Sequence, residues 1–155
     1  MRYLAIDLGD KRTGLASGDS ITRIVTPLEV LEVPIHARGG EELLGAIVRK
    51  IREHLGATGT LVVGLPLNMD GSEGQRAKSV RAFTARIATA SGLPTVFQDE
   101  RLTSVEADWS MARSGMTHRE KKERRDALAA AVLLRDHLAG GSTGATGEAV
   151  PDDED

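Results

Sequence analysis

The order of elements predicts an α/β protein built on a mixed five-stranded sheet flanked by helices. Three observations carry this. The first fifth of the chain reads as three short strands joined by turns, an antiparallel meander. The remainder alternates helical and extended patterns, as parallel βαβ units do. Thr60-Leu61-Val62-Val63-Gly64 is a short continuous apolar run, which marks a strand covered on both faces.

Taken in order, residues 2–8 (RYLAIDL) read as a buried strand, 9–12 as a turn, and 13–18 (TGLASG) as its hairpin partner. Residues 24–33 (IVTPLEVLEV) give a third strand, with Pro27 pointing to an edge or an irregular start. Leu43, Leu44, Ile47, Val48, Ile51 and Leu55 recur at helical spacing, so 40–55 is an amphipathic helix stopped by Gly56. After the strand at 60–64, residues 65–74 form a loop. A helix follows with Val80, Phe83, Ile87 and Ala90 on one face, and Gly92 ends it. Residues 93–97 read as the fifth strand. Thr103 or Ser104 caps a helix running to about Arg113, with Glu106 in its first turn. Residues 114–119 form a loop, and the last helix spans about 120–138. This order is that of a ribonuclease H-like mixed five-stranded sheet. The hairpin start, and the lack of a glycine fingerprint between first strand and first helix, argue against a Rossmann domain.

Composition narrows the function. The chain has 155 residues, 40% hydrophobic and 28% charged, an ordinary one-domain balance. It has no cysteine, which removes disulfide scaffolds, zinc–thiolate sites, iron–sulfur clusters and thiol nucleophiles. No run approaches the roughly 20 apolar residues of a membrane helix. The N-terminus meets Asp7 too early for a signal-peptide core. A cytoplasmic protein with no membrane partner is expected. The net charge of −3 is unevenly spread. Residues 140–155 hold Glu148, Asp152, Asp153, Glu154 and Asp155 with no Lys or Arg; without those acids 20 bases face 18 acids. The expectation is a folded domain over 1–139 and a disordered acidic tail over 140–155.

Three acids stand where chemistry is expected. Asp7 interrupts an apolar strand, on the face of Tyr3, Ala5 and Gly9. A carboxylate there is costly unless paired, hydrogen-bonded or metal-bound; taken alone it reads first as a strand-end Asp serving the turn at 9–12. Asp99 and Glu100 close a strand, where sites of open α/β sheets lie, although a plain polar loop reads the same way. Asp126 opens an almost wholly apolar helical stretch that should lie against the sheet. Its alternative role as an N-cap fits poorly, because Glu120 to Arg125 already favour helix. An oxygen-only cluster of Asp7, Glu100 and Asp126 suits Mg²⁺ or Mn²⁺ rather than zinc. A divalent ion would relieve their mutual repulsion and assist an in-line displacement at phosphorus.

Bases flank each acid in sequence: Lys11 and Arg12 after Asp7, Arg101 after Glu100, and Arg119, Lys121, Lys122, Arg124 and Arg125 before Asp126. Any one cluster reads equally as a solvated face, but their repeated adjacency suits a phosphate backbone. The loop 64–74 has three glycines and leads into a helix start that suits a phosphate. A mobile surface loop, with Ser72 and Glu73 capping the helix, fits it equally well. The four histidines show no metal spacing and read as surface residues.

These motifs resemble the YqgF/RuvX family of ribonuclease H-like nucleases, described as pre-16S rRNA nucleases and as Holliday-junction-resolvase-like proteins. The resemblance covers 1–139. It rests on Asp7-Leu8-Gly9-Asp10-Lys11-Arg12-Thr13-Gly14, Gly64-Leu65-Pro66-Leu67 with Asp70-Gly71-Ser72-Glu73-Gly74, Asp99-Glu100-Arg101-Leu102-Thr103-Ser104, and Lys121-Lys122 with Asp126 and Ala129-Ala130. The chain departs from the family at Ser17-Gly18-Asp19, where an apolar residue and then Ser-Asp is commoner. The resemblance implies that Asp7, Glu100 and Asp126 are the metal-binding catalytic acids. It also implies maturation of the 5′ end of small-subunit ribosomal RNA, with precursor rRNA or precursor particles as partners. Lys11, Arg12, Arg101, Lys121 and Lys122 are the candidate nucleic-acid contacts. The competing readings are a Holliday junction resolvase, which needs a homodimer rather than a monomer, and a non-catalytic RNA binder in ribosome assembly. An actin-like ATPase is a distant third, since the chain is too short for a two-domain cleft.

Overall fold

The structure, a computed structural model, describes residues 1–101 and 118–140, with the side chains of 118–123 outside that description. The expected helix from Thr103 or Ser104 to Arg113, and the acidic tail after Gly140, lie outside the described residues.

Five strands form one sheet in the order β3-β2-β1-β4-β5. They are β1 (Arg2–Leu8), β2 (Thr13–Asp19), β3 (Val25–Leu31), β4 (Thr60–Leu65) and β5 (Thr95–Asp99). The pairs β1–β2 and β2–β3 are antiparallel, whereas β1–β4 and β4–β5 are parallel. The helices are α1 (Glu41–His54), preceded by a 3-10 turn over Ala37–Gly40, then α2 (Gln75–Ser91) and α3 (His118–Leu138).

Strand alternation sorts the core into two layers. Leu4, Ile6 and Leu8 point to the face covered by α1 and α2, joining Ile47, Ile51, Val80, Phe83 and Ile87 in the larger cluster. Ala5 points the other way, joining Ala16, Val62, Ala130 and Leu134 under α3. Ala5, Ala16 and Ala130 are small, so α3 lies close on the sheet. At Gly14 no side chain fits, because a Cβ would overlap the Asp126 carbonyl and stand 2.8 Å from the Ala127 nitrogen.

Pro27 does sit on an edge strand, where the missing N–H costs no ladder bond. The β2–β3 register slips there: Leu15 faces Glu29 and Ala16 faces Pro27, leaving Leu28 as an extra residue that packs onto the larger core. The Pro27 carbonyl accepts a bond from Arg124 Nη2 at 3.2 Å, fastening α3 to this edge. Strand β2 runs through the departure at Ser17-Gly18-Asp19. Asp19 Oδ1 then accepts the Ile21 N–H at 2.7 Å, closing the next turn and holding its carboxyl below the usual range.

Four local expectations change. Strand β5 begins two residues later than expected and ends at Asp99. Ala90 is exposed, and the buried face of α2 is Ala77, Val80, Phe83, Thr84 and Ile87. Ser72 and Glu73 do not cap α2: Ser72 bonds Asp70, and Glu73 is gripped by Arg81 at 2.8 Å. His137 is no plain surface residue. It packs edge-on against Tyr3 at 5.6 Å between ring centroids, and burial pushes its pKa down.

Candidate active site

The parallel arrangement brings the ends of β1, β4 and β5 to one edge of the sheet, beside the start of β2. Ligands of open α/β sheets bind along such an edge. Asp7 lies on β1 one residue before its end, paired with Gly14 of β2. Gly14 lies directly beneath the backbone of Asp126 on α3. The glycine therefore allows the third acid to sit above the first.

Glu100 arrives from the other side. It follows β5, and its backbone N–H donates to the Leu65 carbonyl at 3.4 Å. Its carboxylate turns over Gly64 of β4, where a Cβ would stand 3.3 and 3.4 Å from the two Glu100 oxygens. Gly64 directly follows Val63, the register partner of Ile6. Two glycines on the strands flanking β1 thus clear the space beside Asp7.

The three carboxylates bear on one another electrostatically. Burial is the largest influence on Asp7 and pushes its carboxyl well above the ordinary range; Glu100 and then Asp126 push it further, and Arg76 pulls it back. Glu100 is also raised, by burial first; Arg76 opposes this and Asp99 adds to it. Asp126 accepts from Arg12 Nε at 3.3 Å.

Among the described residues, no three His, Cys, Asp or Glu side chains are arranged as a formed metal site. The donor set still fits a hard divalent cation: all oxygen, on three separate elements, with a half-buried carboxyl burdened by two acidic neighbours. Arg12 is largely exposed, so it can leave Asp126 without breaking the core.

Among the predicted bases, Lys11 and Arg12 are exposed on the β1–β2 turn. Arg101 is committed locally. Its Nε and Nη2 lie 2.8 and 2.6 Å from Asp99 Oδ2, and its Nη1 donates to the Met69 carbonyl at 3.2 Å, tying the 66–72 loop to β5. The side chains of Lys121 and Lys122 lie outside the described residues; their backbone opens α3.

Sequence reasoning missed Arg76. Its Nη2 donates to the Leu8 carbonyl at 3.0 Å and its Nη1 to Asp10 Oδ1 at 3.1 Å, so its charge bears on both Asp7 and Glu100. A signal was present: a base in the first turn of a helix opposes the dipole and needs a partner elsewhere. Replacing Arg76 with methionine is expected to raise both carboxyl pKa values further. The acidic limb of the pH–rate profile should move to higher pH, with about tenfold less activity near neutrality. Arg76→Lys should restore part of the limb, because charge survives though the two-point grip does not.

A family model described as RuvX: Holliday junction resolvase matches residues 1–140. A protein of Anaeromyxobacter sp. (strain Fw109-5) named "Putative pre-16S rRNA nuclease" is 46% identical over 140 residues, covering 90% of this chain and 98% of its own. One of the same name from Chloroflexus aurantiacus is 36% identical over 135 residues, covering 87% and 84%. Among solved structures, T. thermophilus RuvC in complex with Holliday junction substrate superposes with a TM-score of 0.57 at 14% identity, over 97% of this chain and 99% of that one. The fowlpox virus resolvase, bound to Holliday junction DNA, also gives 0.57, at 8% identity over 90% and 98%. At these identities the structural likeness is one of fold.

Proposed function

Because the chain belongs to the RuvX family, we propose that it is a metal-dependent nuclease hydrolysing phosphodiester bonds, acting in 5′-end maturation of precursor 16S rRNA in the cytoplasm. One observation carries this reading: Asp7, Glu100 and Asp126, from three separate elements, meet closely enough that both partners raise the Asp7 carboxyl. A cluster so costly to ionise is hard to explain as a stabilising device.

Asp7, Glu100 and Asp126 would hold Mg²⁺ or Mn²⁺. When bound, the ion activates water and offsets charge on the attacking and leaving oxygens. The protein contributes the rest. Gly14 and Gly64 keep the backbone low around Asp7. Arg76 opposes the protonation of Asp7 and Glu100, keeping their oxygens available as ligands. Arg12 exchanges Asp126 for a backbone phosphate as substrate arrives, and Lys11 beside it adds a second phosphate contact. Lys121 and Lys122 extend that track along α3. Arg101 serves chiefly by holding the loop, with a phosphate contact as its secondary role.

The direct test incubates wild type and Glu100→Gln with a precursor-rRNA fragment and with a four-way DNA junction, in Mg²⁺, Mn²⁺ or EDTA. Metal-dependent cutting of the RNA is expected, reduced about 10³-fold in the variant. Paired symmetric cuts in the junction would instead favour the resolvase named in the family description, working as a two-fold dimer. No metal-dependent cutting of either substrate would leave the non-catalytic RNA binder.

A further inference from the structure

A cavity of about 340 Å³ opens at the same sheet edge, on the opposite face from the acids. Its apolar floor is Leu8, Ile35 and Val80; the Asp10–Arg76 ion pair stands in its wall, and its neutral polar groups are His36, Gln75 and Ser79. We propose that this cavity receives one unpaired nucleobase of the substrate, next to the phosphate being cut. The inference rests on the nuclease reading for the identity of the substrate.

Position supports the adjacency. Leu8 follows Asp7 directly, and strand alternation sends the two side chains to opposite faces of the sheet. A strand of nucleic acid crossing the end of β1 would present one phosphate to the acids and the neighbouring base to the cavity. Arg76 spans the two places: it bears on Asp7 and Glu100, bonds the Leu8 carbonyl, and forms part of the cavity wall.

Chemistry favours a base over a second phosphate. The floor is apolar, and burying an anion there is costly. Arg76, the strongest cation of the wall, is already paired with Asp10. The Gln75 amide and Ser79 hydroxyl each offer a donor and an acceptor, the complement of a base edge. The His36 imidazole offers a stacking plane, as histidine does for splayed-out bases. The volume lies at the small end of ligand cavities. It suits one base and part of its sugar, not a base pair, so the base must leave its stack to enter.

The test measures binding of short RNA and DNA oligonucleotides by fluorescence anisotropy, in Ca²⁺, with a single abasic site walked along the strand. For wild type, one abasic position should lower affinity about tenfold. Ser79→Trp fills the cavity from the exposed face of α2. It should lose the same tenfold on the intact strand and nothing more at that abasic position. Gln75→Ala should keep the abasic effect and change which base is preferred. Equal affinity at every abasic position, undiminished discrimination in Ser79→Trp, or no binding of any strand would overturn the proposal. Parallel cleavage assays in Mg²⁺ and Mn²⁺ separate the two readings. Position-specific binding without cleavage overturns the nuclease and leaves the base subsite standing; cleavage without position-specific binding does the reverse.

Discussion

Asp7→Asn is expected to abolish cleavage while making the metal-free protein more stable at neutral pH. The two effects have opposite signs because they come from one carboxylate. In the folded chain, burial, Glu100 and Asp126 raise the Asp7 pKa well above its ordinary range. Between the ordinary carboxylate value, about 3.9, and that raised value, the folded state holds a proton that the unfolded chain has released. Stability therefore falls as pH rises through this window, and stays lower above it. Asparagine keeps the shape and removes the charge, so the fall disappears. Urea melts of the two proteins from pH 4 to 8 without divalent ions should start close together and diverge, with the variant ahead. Adding Mg²⁺ or Mn²⁺ should raise the melting temperature of wild type and leave the variant nearly unmoved, as for a ligand that binds only the folded state. On the proposed metal-dependent mechanism, catalysis should drop by about 10³-fold or more, since the ion held there would supply several kcal/mol of transition-state stabilisation. A variant that melts like wild type at every pH would refute the account of Asp7 as a half-buried acid held above its ordinary pKa by desolvation and its acidic neighbours.

Gly14→Ala is expected to cost about 3 kcal/mol, the upper part of the range for overpacking. One added methyl would strike the Asp126 carbonyl and crowd the Ala127 nitrogen. Both are backbone of α3, so no rotamer change relieves the clash. The helix must lift from β2, disturbing the layer of Ala5, Ala16, Val62, Ala130 and Leu134. A fall of about 10 °C in melting temperature follows for a domain of this size. Cleavage at a temperature where the variant remains folded should also drop, because lifting α3 carries Asp126 away from Asp7. Gly45→Ala is the control, since a Cβ there meets nothing nearer than 3.8 Å. A Gly14→Ala protein with the wild-type melting temperature would refute the close approach of α3 to the sheet.

Much of this arrangement was legible in residue patterns. Alternation along β1 placed Asp7 with Tyr3 and Ala5, away from Leu4, Ile6 and Leu8. The small apolar face after Asp126 announced a helix lying on the sheet. These features are local and periodic: Asp7 stood out as a charge inside an apolar strand and Asp126 at the head of an apolar helical stretch, whereas Glu100 read equally as part of a polar loop. What escaped depends on contacts between distant segments. Arg76 meets Leu8 and Asp10 from 68 and 66 residues away. Arg101 looked like a phosphate ligand by adjacency to Glu100, yet its geometry is set by Asp99 and by a carbonyl of the 66–72 loop. His137 looked exposed on a helix end until Tyr3, at the other end of the chain, covered it. Ser72 and Glu73 have capping chemistry but found nearer partners in Asp70 and Arg81.

The fastening of α3 by Arg124 to the Pro27 carbonyl, and by Arg23 to the Leu138 carbonyl at 3.0 Å, has a bearing on cooperativity. Asp7 lies on the sheet and Glu100 just beyond the end of β5, whereas Asp126 rides on α3, which packs on the sheet through Ala130 and Leu134 and is bonded near both ends to the β3 side. Sub-global opening of such an element leaves the rest of the domain folded. If the three acids act together as proposed, catalysis would require α3 to be docked, and removing the bonds to Pro27 and Leu138 is expected to lower activity more than it lowers the stability of the sheet.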